Sequence, residues 1–137
     1  MSEIKSRRNF DHRQAKIEIV YDDKYRKVIQ CDRGIAAIIK ALNENGCDTL
    51  HSCQDGVGGC VWINFTLQGT RKFWRLIKVG YVEEKIKSSD YHQLLEYEWS
   101  FATGEYYWGG DSVSLRFDKK KLKDFRRVIK ACGIRNR

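Results

Sequence analysis

The chain has 137 residues, 42% of them hydrophobic and 12% aromatic, which is enough to build one domain, residues 1–137, around one core. No run of about 18 apolar residues occurs, which excludes a transmembrane helix, and the N-terminal residues lack the apolar stretch of a secretory signal. Five cysteines is an odd number with irregular spacing, so reduced thiols are expected. We therefore expect a cytoplasmic protein, of a cell or of an infected host, with no membrane partner.

The net charge of +8 is concentrated in two segments. Residues 70–80 contain four Lys/Arg and no acid, and residues 118–137 contain nine Lys/Arg and two acids. The combined positive charge of these two segments exceeds the net charge of the whole chain, because residues 81–117 are net acidic. Since a positive potential concentrates phosphates, nucleic acid or a phosphate-bearing nucleotide is the first partner to consider.

The N-terminal part of the chain predicts two strands and one helix. Residues 1–14 form a basic arm, and alternation predicts strands over 17–21 and 25–30. Asp32 is the expected N-cap of a helix that ends at Gly46, where glycine adopts the left-handed conformation at little cost. The apolar residues of this helix recur at helical spacing: Ile35, Ile38, Ile39 and Leu42.

A strand and a second helix follow in the middle of the chain. Residues 61–67 are β-branched and aromatic, which predicts a strand. Thr70 is the expected cap of a helix that runs to Val79 and ends at Gly80. Its apolar face comprises Phe73, Leu76 and Ile77. Residues 81–92 are polar and predict a loop.

Two alternating strands and a helix complete the chain. The first strand, 95–101, directs Tyr97, Trp99 and Phe101 toward the core, and the second covers 113–117. Asp118 caps the last helix, which ends at Gly133. Its apolar stripe comprises Leu122, Phe125, Val128, Ile129 and Cys132. The predicted order is β-β-α-β-α-β-β-α, an α+β fold in which a mostly antiparallel sheet carries about three helices on one face.

The connection between the first helix and the following strand is rich in reactive side chains. Four of them are of the kinds that zinc prefers: Cys47, His51, Cys53 and Cys60. Their spacing, C-x3-H-x-C-x6-C, is not a common zinc pattern, so zinc is one possibility and no cofactor is the other. His51, Cys53 and Asp55 are alternatively the catalytic residues of an RNA-modifying enzyme, since a thiolate–imidazole pair on one strand face is nucleophilic. The structural alternative is a glycine turn with buried thiols.

The two basic helices are the candidate nucleic-acid-binding surfaces. Each presents cations, and the first adds an aromatic ring, so that charge would hold phosphate and the ring would hold a base. The residues are Arg71, Trp74, Arg75 and Lys78 on the first helix and Lys120, Lys123, Arg127 and Lys130 on the last. Solvated helices usually mix both signs to gain ion pairs between turns, and these two nearly lack acids. The leading hypothesis is a small non-enzymatic protein that binds nucleic acid or a nucleotide.

An aromatic triplet offers a different kind of surface. Tyr106, Tyr107 and Trp108 lie between two expected turns, and acids such as Glu105 and Asp111 surround them. Tyrosine and tryptophan are enriched in protein interfaces, so this patch predicts a protein partner, a second copy of the chain included. A protein-interaction or inhibitor module is therefore the third alternative.

One segment resembles small uncharacterised phage proteins. Those proteins have a helix that leads into a Ser-Cys-Gln/Glu-Gly turn, and here Ser52-Cys53-Gln54 follows the helix over 35–42. Asp55 is inserted before Gly56, which departs from that pattern. The resemblance implies a viral accessory or counter-defence factor.

A second resemblance is to the wybutosine-pathway tRNA methyltransferase family. Ser52-Cys53 is similar to the turn of that family, and the run 131–135, Ala-Cys-Gly-Ile-Arg, is similar to the end of its last helix. This chain lacks the arginine that follows the family's turn. The resemblance implies methyl transfer to RNA, and the missing arginine puts that activity in doubt.

Overall fold

The computed structural model describes residues 14–20, 26–56, 59–103 and 111–135. Within them lie six strands and four α-helices. The strands are β1 (Gln14–Val20), β2 (Arg26–Asp32), β3 (Thr49–Gly56), β4 (Cys60–Thr66), β5 (Glu98–Ala102) and β6 (Ser112–Asp118). The helices are α1 (Ala36–Glu44), α2 (Leu67–Val82), α3 (Ser88–Glu96) and α4 (Leu122–Ala131), with 3-10 turns over 33–35 and 119–121.

The described strands form two antiparallel sheets, which confirms the predicted α+β class. β1 and β2 pair as a hairpin, with Ile17 opposite Ile29. The larger sheet has the order β3-β4-β6-β5. No described helix combines the length and the apolar character needed to cross a membrane.

The four helices cover one face of the larger sheet. On β4 the alternate residues Val61, Ile63 and Phe65 are completely buried, and so is Leu115 on the neighbouring β6. Phe73 of α2 packs against Phe65 with the ring centroids 5.6 Å apart. Because side chains alternate across a strand, the residues between these apolar positions lie on the other face of the sheet, which none of the described helices covers and which we call the open face.

The first helix forms as its apolar spacing predicts. Its stripe is buried, and Gly46 has φ +83°, the left-handed conformation that ends the helix. Asp32 begins a 3-10 turn before α1 and makes no capping hydrogen bond with its side chain. Instead, its carboxylate accepts a hydrogen bond of 2.7 Å from the Gln14 amide, which ties β2 to β1.

The predicted bounds of the second helix are wrong at both ends. α2 begins at Leu67, and the Thr66 hydroxyl caps it by accepting a hydrogen bond of 2.8 Å from the Gly69 backbone N–H. The helix also continues through Gly80 to Val82. Gly80 is buried inside the helix against Cys132, so its role is close packing and not helix termination.

The segment predicted as a loop contains a helix. α3 begins after Lys87, whose backbone N–H donates to the Asp90 carboxylate over 3.1 Å. Leu94 of α3 is buried in the core, whereas Phe101 of β5, which was predicted to be buried, is 62% exposed. The strand predicted over 95–101 therefore begins only at Glu98.

The cysteine-rich connection is itself a strand. β3 pairs with β4 in an antiparallel manner, and Gly56 lies opposite Cys60. Gly59 has φ +71°, a left-handed conformation that glycine adopts readily, and residues 57 and 58 of the expected glycine turn lie outside the described residues. The predicted helix end at Gly133, with φ +85°, and the strand over 113–117 are confirmed.

Candidate nucleic-acid interface

The two basic helices lie on the same side of the sheet and touch each other. Phe73 of α2 and Phe125 of α4 stack with ring centroids 6.3 Å apart and an interplanar angle of 20°. Further along, a Cβ at Gly80 would overlap the Cys132 thiol and lie 3.1 Å from its Cβ. Since α2 and α4 share one core, their outward sides belong to one helix-covered side of the molecule.

The outward side of α2 is cationic. Arg71, Arg75 and Lys78 are exposed, while Phe73 and Ile77 on the opposite side of the helix are completely buried. The helix contains four Lys/Arg and no acid. Its solvent side therefore gains no ion pair between successive turns, unlike an ordinary amphipathic helix.

The outward side of α4 and its preceding turn is also cationic. Lys120, Lys123 and Lys130 are exposed, and Phe125, Val128 and Ile129 form the buried stripe that the sequence predicted. Two further cations that were not predicted as contact residues, Lys121 and Arg126, are also exposed. Their positions directly beside Lys120 and Arg127 are the signal by which the sequence could indicate them.

Arg127 differs from its neighbours because carboxylates hold it. Its guanidinium lies 2.7 Å from Asp90 of α3 and 2.7 Å from Asp124 of its own helix. The hydrogen bond from Arg127 lowers the pKa of Asp90, and the two carboxylates raise the pKa of Arg127. Part of the charge of Arg127 is therefore neutralised within the fold.

The aromatic ring predicted to stack on a base is packed among other rings. Trp74 is half-buried, with its centroid 5.0 Å from Trp99, 5.5 Å from Phe73 and 6.1 Å from Tyr91. It joins α2 to α3 and to the edge of the core. These contacts hold the indole at the edge of the core, and its stacking on a base stays a prediction from the sequence.

The reactive side chains of the cysteine-rich segment separate into different environments. His51 and Cys53 pair with Asn64 and Trp62 of β4, so both lie on the open face of the sheet, as expected for alternate residues of a strand. Cys47 is completely buried in the helix-side core, and burial raises its pKa to about 12. The side chain of Asp55 lies outside the described residues.

No three His, Cys, Asp or Glu side chains in the described part of the chain come together as metal ligands. Cys60, the fourth candidate ligand, begins β4 and is half-buried. Zinc binding stays a prediction from the sequence. Tyr106, Tyr107 and Trp108, the predicted protein interface, lie outside the described residues.

Comparison of the chain with protein-family models, with curated proteins and with solved structures gave no match. The resemblances to phage proteins and to the wybutosine-pathway family remain predictions from the sequence. Function is therefore argued from the surfaces of the molecule.

Proposed function

We propose that this protein binds nucleic acid through phosphates, using one cationic surface formed by the outward sides of α2 and α4. The contact residues are Arg71, Arg75, Lys78, Lys120, Lys123 and Lys130. The observation that carries the proposal is that these two helices touch through their buried residues on one side of the sheet, so that both basic segments lie on the same side of the molecule.

The distribution of charge supports a polyanion as the partner. Residues 67–82 carry four bases and no acid, a net +4, and residues 119–131 carry seven bases and one acid, a net +6. Their sum of +10 exceeds the net +8 of the whole chain, so the remainder is net −2. A field of this sign on one side attracts phosphates at a distance and orients the protein during encounter.

The composition of the surface favours recognition of the backbone over recognition of bases. Its described contact residues are lysine and arginine, and Trp74 is packed against Trp99 and Phe73. Phosphate contacts position a protein without reading sequence. We therefore expect similar affinities for strands of different sequence, and the counter-defence role stays a proposal that rests on the resemblance alone.

The test is fluorescence anisotropy with a labelled single-stranded RNA and a labelled DNA duplex at several salt concentrations. Affinity should fall steeply as salt rises, because bound phosphates release their counterions. The triple variant Arg71→Glu, Arg75→Glu, Lys78→Glu should lose about tenfold or more in affinity and show a shallower salt dependence.

A matched control separates the surface from the net charge. Reversing three exposed cations of the hairpin and its following turn, Lys16→Glu, Arg26→Glu and Arg33→Glu, gives the same net charge of +2, from +8 less 6. The control should retain most of the affinity. Equal losses in the two triple variants, or no binding of the wild type at low salt, would overturn the proposal.

A second candidate function is an RNA-modifying enzyme with His51 and Cys53 in its site. The observation that favours it is that both side chains lie on the open face of the sheet, where Cys53 lines a concavity. In this case Cys53→Ser abolishes covalent capture of RNA by the protein while affinity is kept. Unchanged behaviour of Cys53→Ser would exclude a nucleophilic role.

A further inference from the structure

We propose that the open face of the larger sheet is a second binding site, for a nucleobase presented by a mononucleotide or by an unstacked base of a strand. A concavity of about 410 Å³ lies over β4, β6 and β5 on this face, within the usual size range of small-molecule sites. Its polar and aromatic lining comprises Cys53, Trp62, Glu98, Ser100, Ser114 and Arg116. This site lies on the opposite side of the sheet from the cationic helices.

Strand register assembles the lining into two rows. In the first row Trp62 lies opposite both Cys53 and Arg116, and Arg116 lies opposite Glu98. In the second row, Asn64 lies opposite both His51 and Ser114, and Ser114 opposite Ser100. Residues opposite each other on neighbouring antiparallel strands lie roughly 5 Å apart at their Cβ atoms, so each row spans all four strands.

The aromatic part of the face is suited to a planar ligand. The rings of His51 and Trp62 are nearly parallel, with an interplanar angle of 8° and centroids 6.4 Å apart. Trp62 is half-buried and lines the concavity, so its indole is held in place while part of it remains accessible. Stacking of a base on such a ring tolerates any base, because every base has a π-face.

The polar part of the face is complementary to the edge of a base. Arg116 supplies N–H donors and the neighbouring Glu98 supplies carboxylate acceptors, and base edges present acceptors and donors of matching kinds. The hydroxyls of Ser100 and Ser114 add groups that either donate or accept.

Asn64 provides an independent sign that the face is incomplete. It is completely buried, and its amide nitrogen donates to Ser112 over 3.0 Å and to Ser114 over 2.9 Å. Its Oδ1 is buried and accepts no hydrogen bond. A buried acceptor without a donor is unfavourable, and this one lies beside Ser114, which lines the concavity.

The charge of the open face limits the ligand to a base with few phosphates. Among the described residues of this face, Arg116 is the one Lys or Arg, Glu98 lies opposite it on β5, and Asp118 lies two residues further along β6. A strand backbone tracking across this face would meet carboxylates. The face therefore suits one base, whereas the helices suit a chain of phosphates.

The experiment is isothermal titration of the full chain with AMP, GMP, CMP and UMP, and with a short single-stranded oligonucleotide, at moderate salt. We expect saturable binding that Trp62→Ala weakens by roughly tenfold, as for removal of one base-stacking ring. Phe101→Ala is the matched control, since this exposed ring lies on the other face of β5 and its loss should leave binding unchanged.

The arms of the experiment distinguish the two sources of the base. Saturation by a mononucleotide, lost in Trp62→Ala and kept in the Arg71→Glu, Arg75→Glu, Lys78→Glu variant, identifies a free nucleotide. Binding of the oligonucleotide alone with the same dependence on Trp62 identifies a base of a strand. The proposal is overturned if no mononucleotide saturates the protein and the oligonucleotide binds Trp62→Ala as it binds the wild type, or if Trp62→Ala and Phe101→Ala behave alike while both variants remain folded by circular dichroism. Oligonucleotide binding that does not depend on Trp62 but is lost in the triple variant of α2 leaves the proposed function standing, so the two failures are distinguishable.

Discussion

On the helix side of the larger sheet, the exposed side chains of α2 and α4 are mostly cations. On the open side, the described side chains include one guanidinium, together with an indole, an imidazole, hydroxyls and a carboxylate. The difference follows from solvation. Long cationic side chains on a helix keep their charge in water, but side chains crowded on a sheet must satisfy one another. Asn64 does so by donating to Ser112 and Ser114.

Under the two proposals, the two sides of the sheet divide between them two tasks that nucleic-acid-binding proteins perform. Phosphate contacts position the ligand, and base contacts select it. The same strand serves both sides here, because Val61 and Ile63 of β4 anchor the helix layer while Trp62 between them faces the open side. Damage to the helix layer should therefore be distinguishable from damage to the open face.

The largest expected effect is on the packing that joins the two basic helices. Gly80→Ala would raise helix propensity by nearly 1 kcal/mol, but its Cβ overlaps the Cys132 thiol, and overpacking costs more. We expect a net loss of about 2 kcal/mol in the free energy of unfolding, measured by urea denaturation. In a Cys132→Ala background the same change should cost less. A Gly80→Ala protein as stable as the wild type would contradict the close approach of α2 and α4.

The independence of the two faces can be tested by combining variants. Trp62→Ala and the triple variant of α2 should add in their effects on binding of a labelled single-stranded RNA, within about 0.5 kcal/mol. The physical reason is that the sheet and its buried core lie between the changed side chains. A coupling of more than about 1 kcal/mol would mean that the two changed regions influence each other through the sheet and its core.

Sequence patterns predicted those parts of the fold that depend on one element at a time. The apolar stripes of α1 and α4 and the alternation of β6 arise from local periodicity, and each was found where it was predicted. The local pattern predicts a helix end at Gly80, because a glycine that follows a helical stretch usually ends the helix. Its contact with Cys132, 52 positions further along the chain, is invisible to local pattern.

The sequence does not predict the open face, because its residues come together only through the register in which the strands pair. Trp62, Arg116 and Glu98 belong to three strands that are distant in sequence, and each alone looks like an ordinary polar or aromatic strand position. The segment of β3 has few β-branched residues and therefore predicts a connection, whereas its pairing with β4 makes it a strand. The exposed cations of α2 and α4 were predictable because outward helix positions follow from the buried stripe.

A smaller effect should follow from the ion pair that neutralises Arg127. The Arg127 hydrogen bond lowers the pKa of Asp90 below 3.8, so the pair stabilises the folded state above that pH and the stabilisation is lost as the pH falls through the lowered value. Arg127 is 56% exposed, so we expect Arg127→Gln to cost about 1 kcal/mol at neutral pH. Urea denaturation at pH 7 and near pH 2.5 should show the difference shrinking in acid. A difference that persists in acid would mean that packing, and not charge, is the role of Arg127.

The smallest expected effect is the difference in RNA affinity between variants at two cations of α4, Lys130 and Arg127. Arg127 was predicted from the sequence to contact nucleic acid, but Asp90 and Asp124 already accept its hydrogen bonds, whereas Lys130 is exposed and makes no ion pair within the described residues. Lys130→Gln should therefore weaken RNA binding by a few-fold and reduce the salt slope, since one phosphate contact is lost. Arg127→Gln removes the same charge, but it also leaves the carboxylates of Asp90 and Asp124 beside the surface without their partner. Because an unpaired carboxylate repels phosphate, any loss of affinity in Arg127→Gln should be restored in the Arg127→Gln, Asp124→Asn double variant. Anisotropy titrations of the three variants at two salt concentrations measure this. If Asp124→Asn restores nothing, the guanidinium itself contacts phosphate, and the carboxylates position it for that contact.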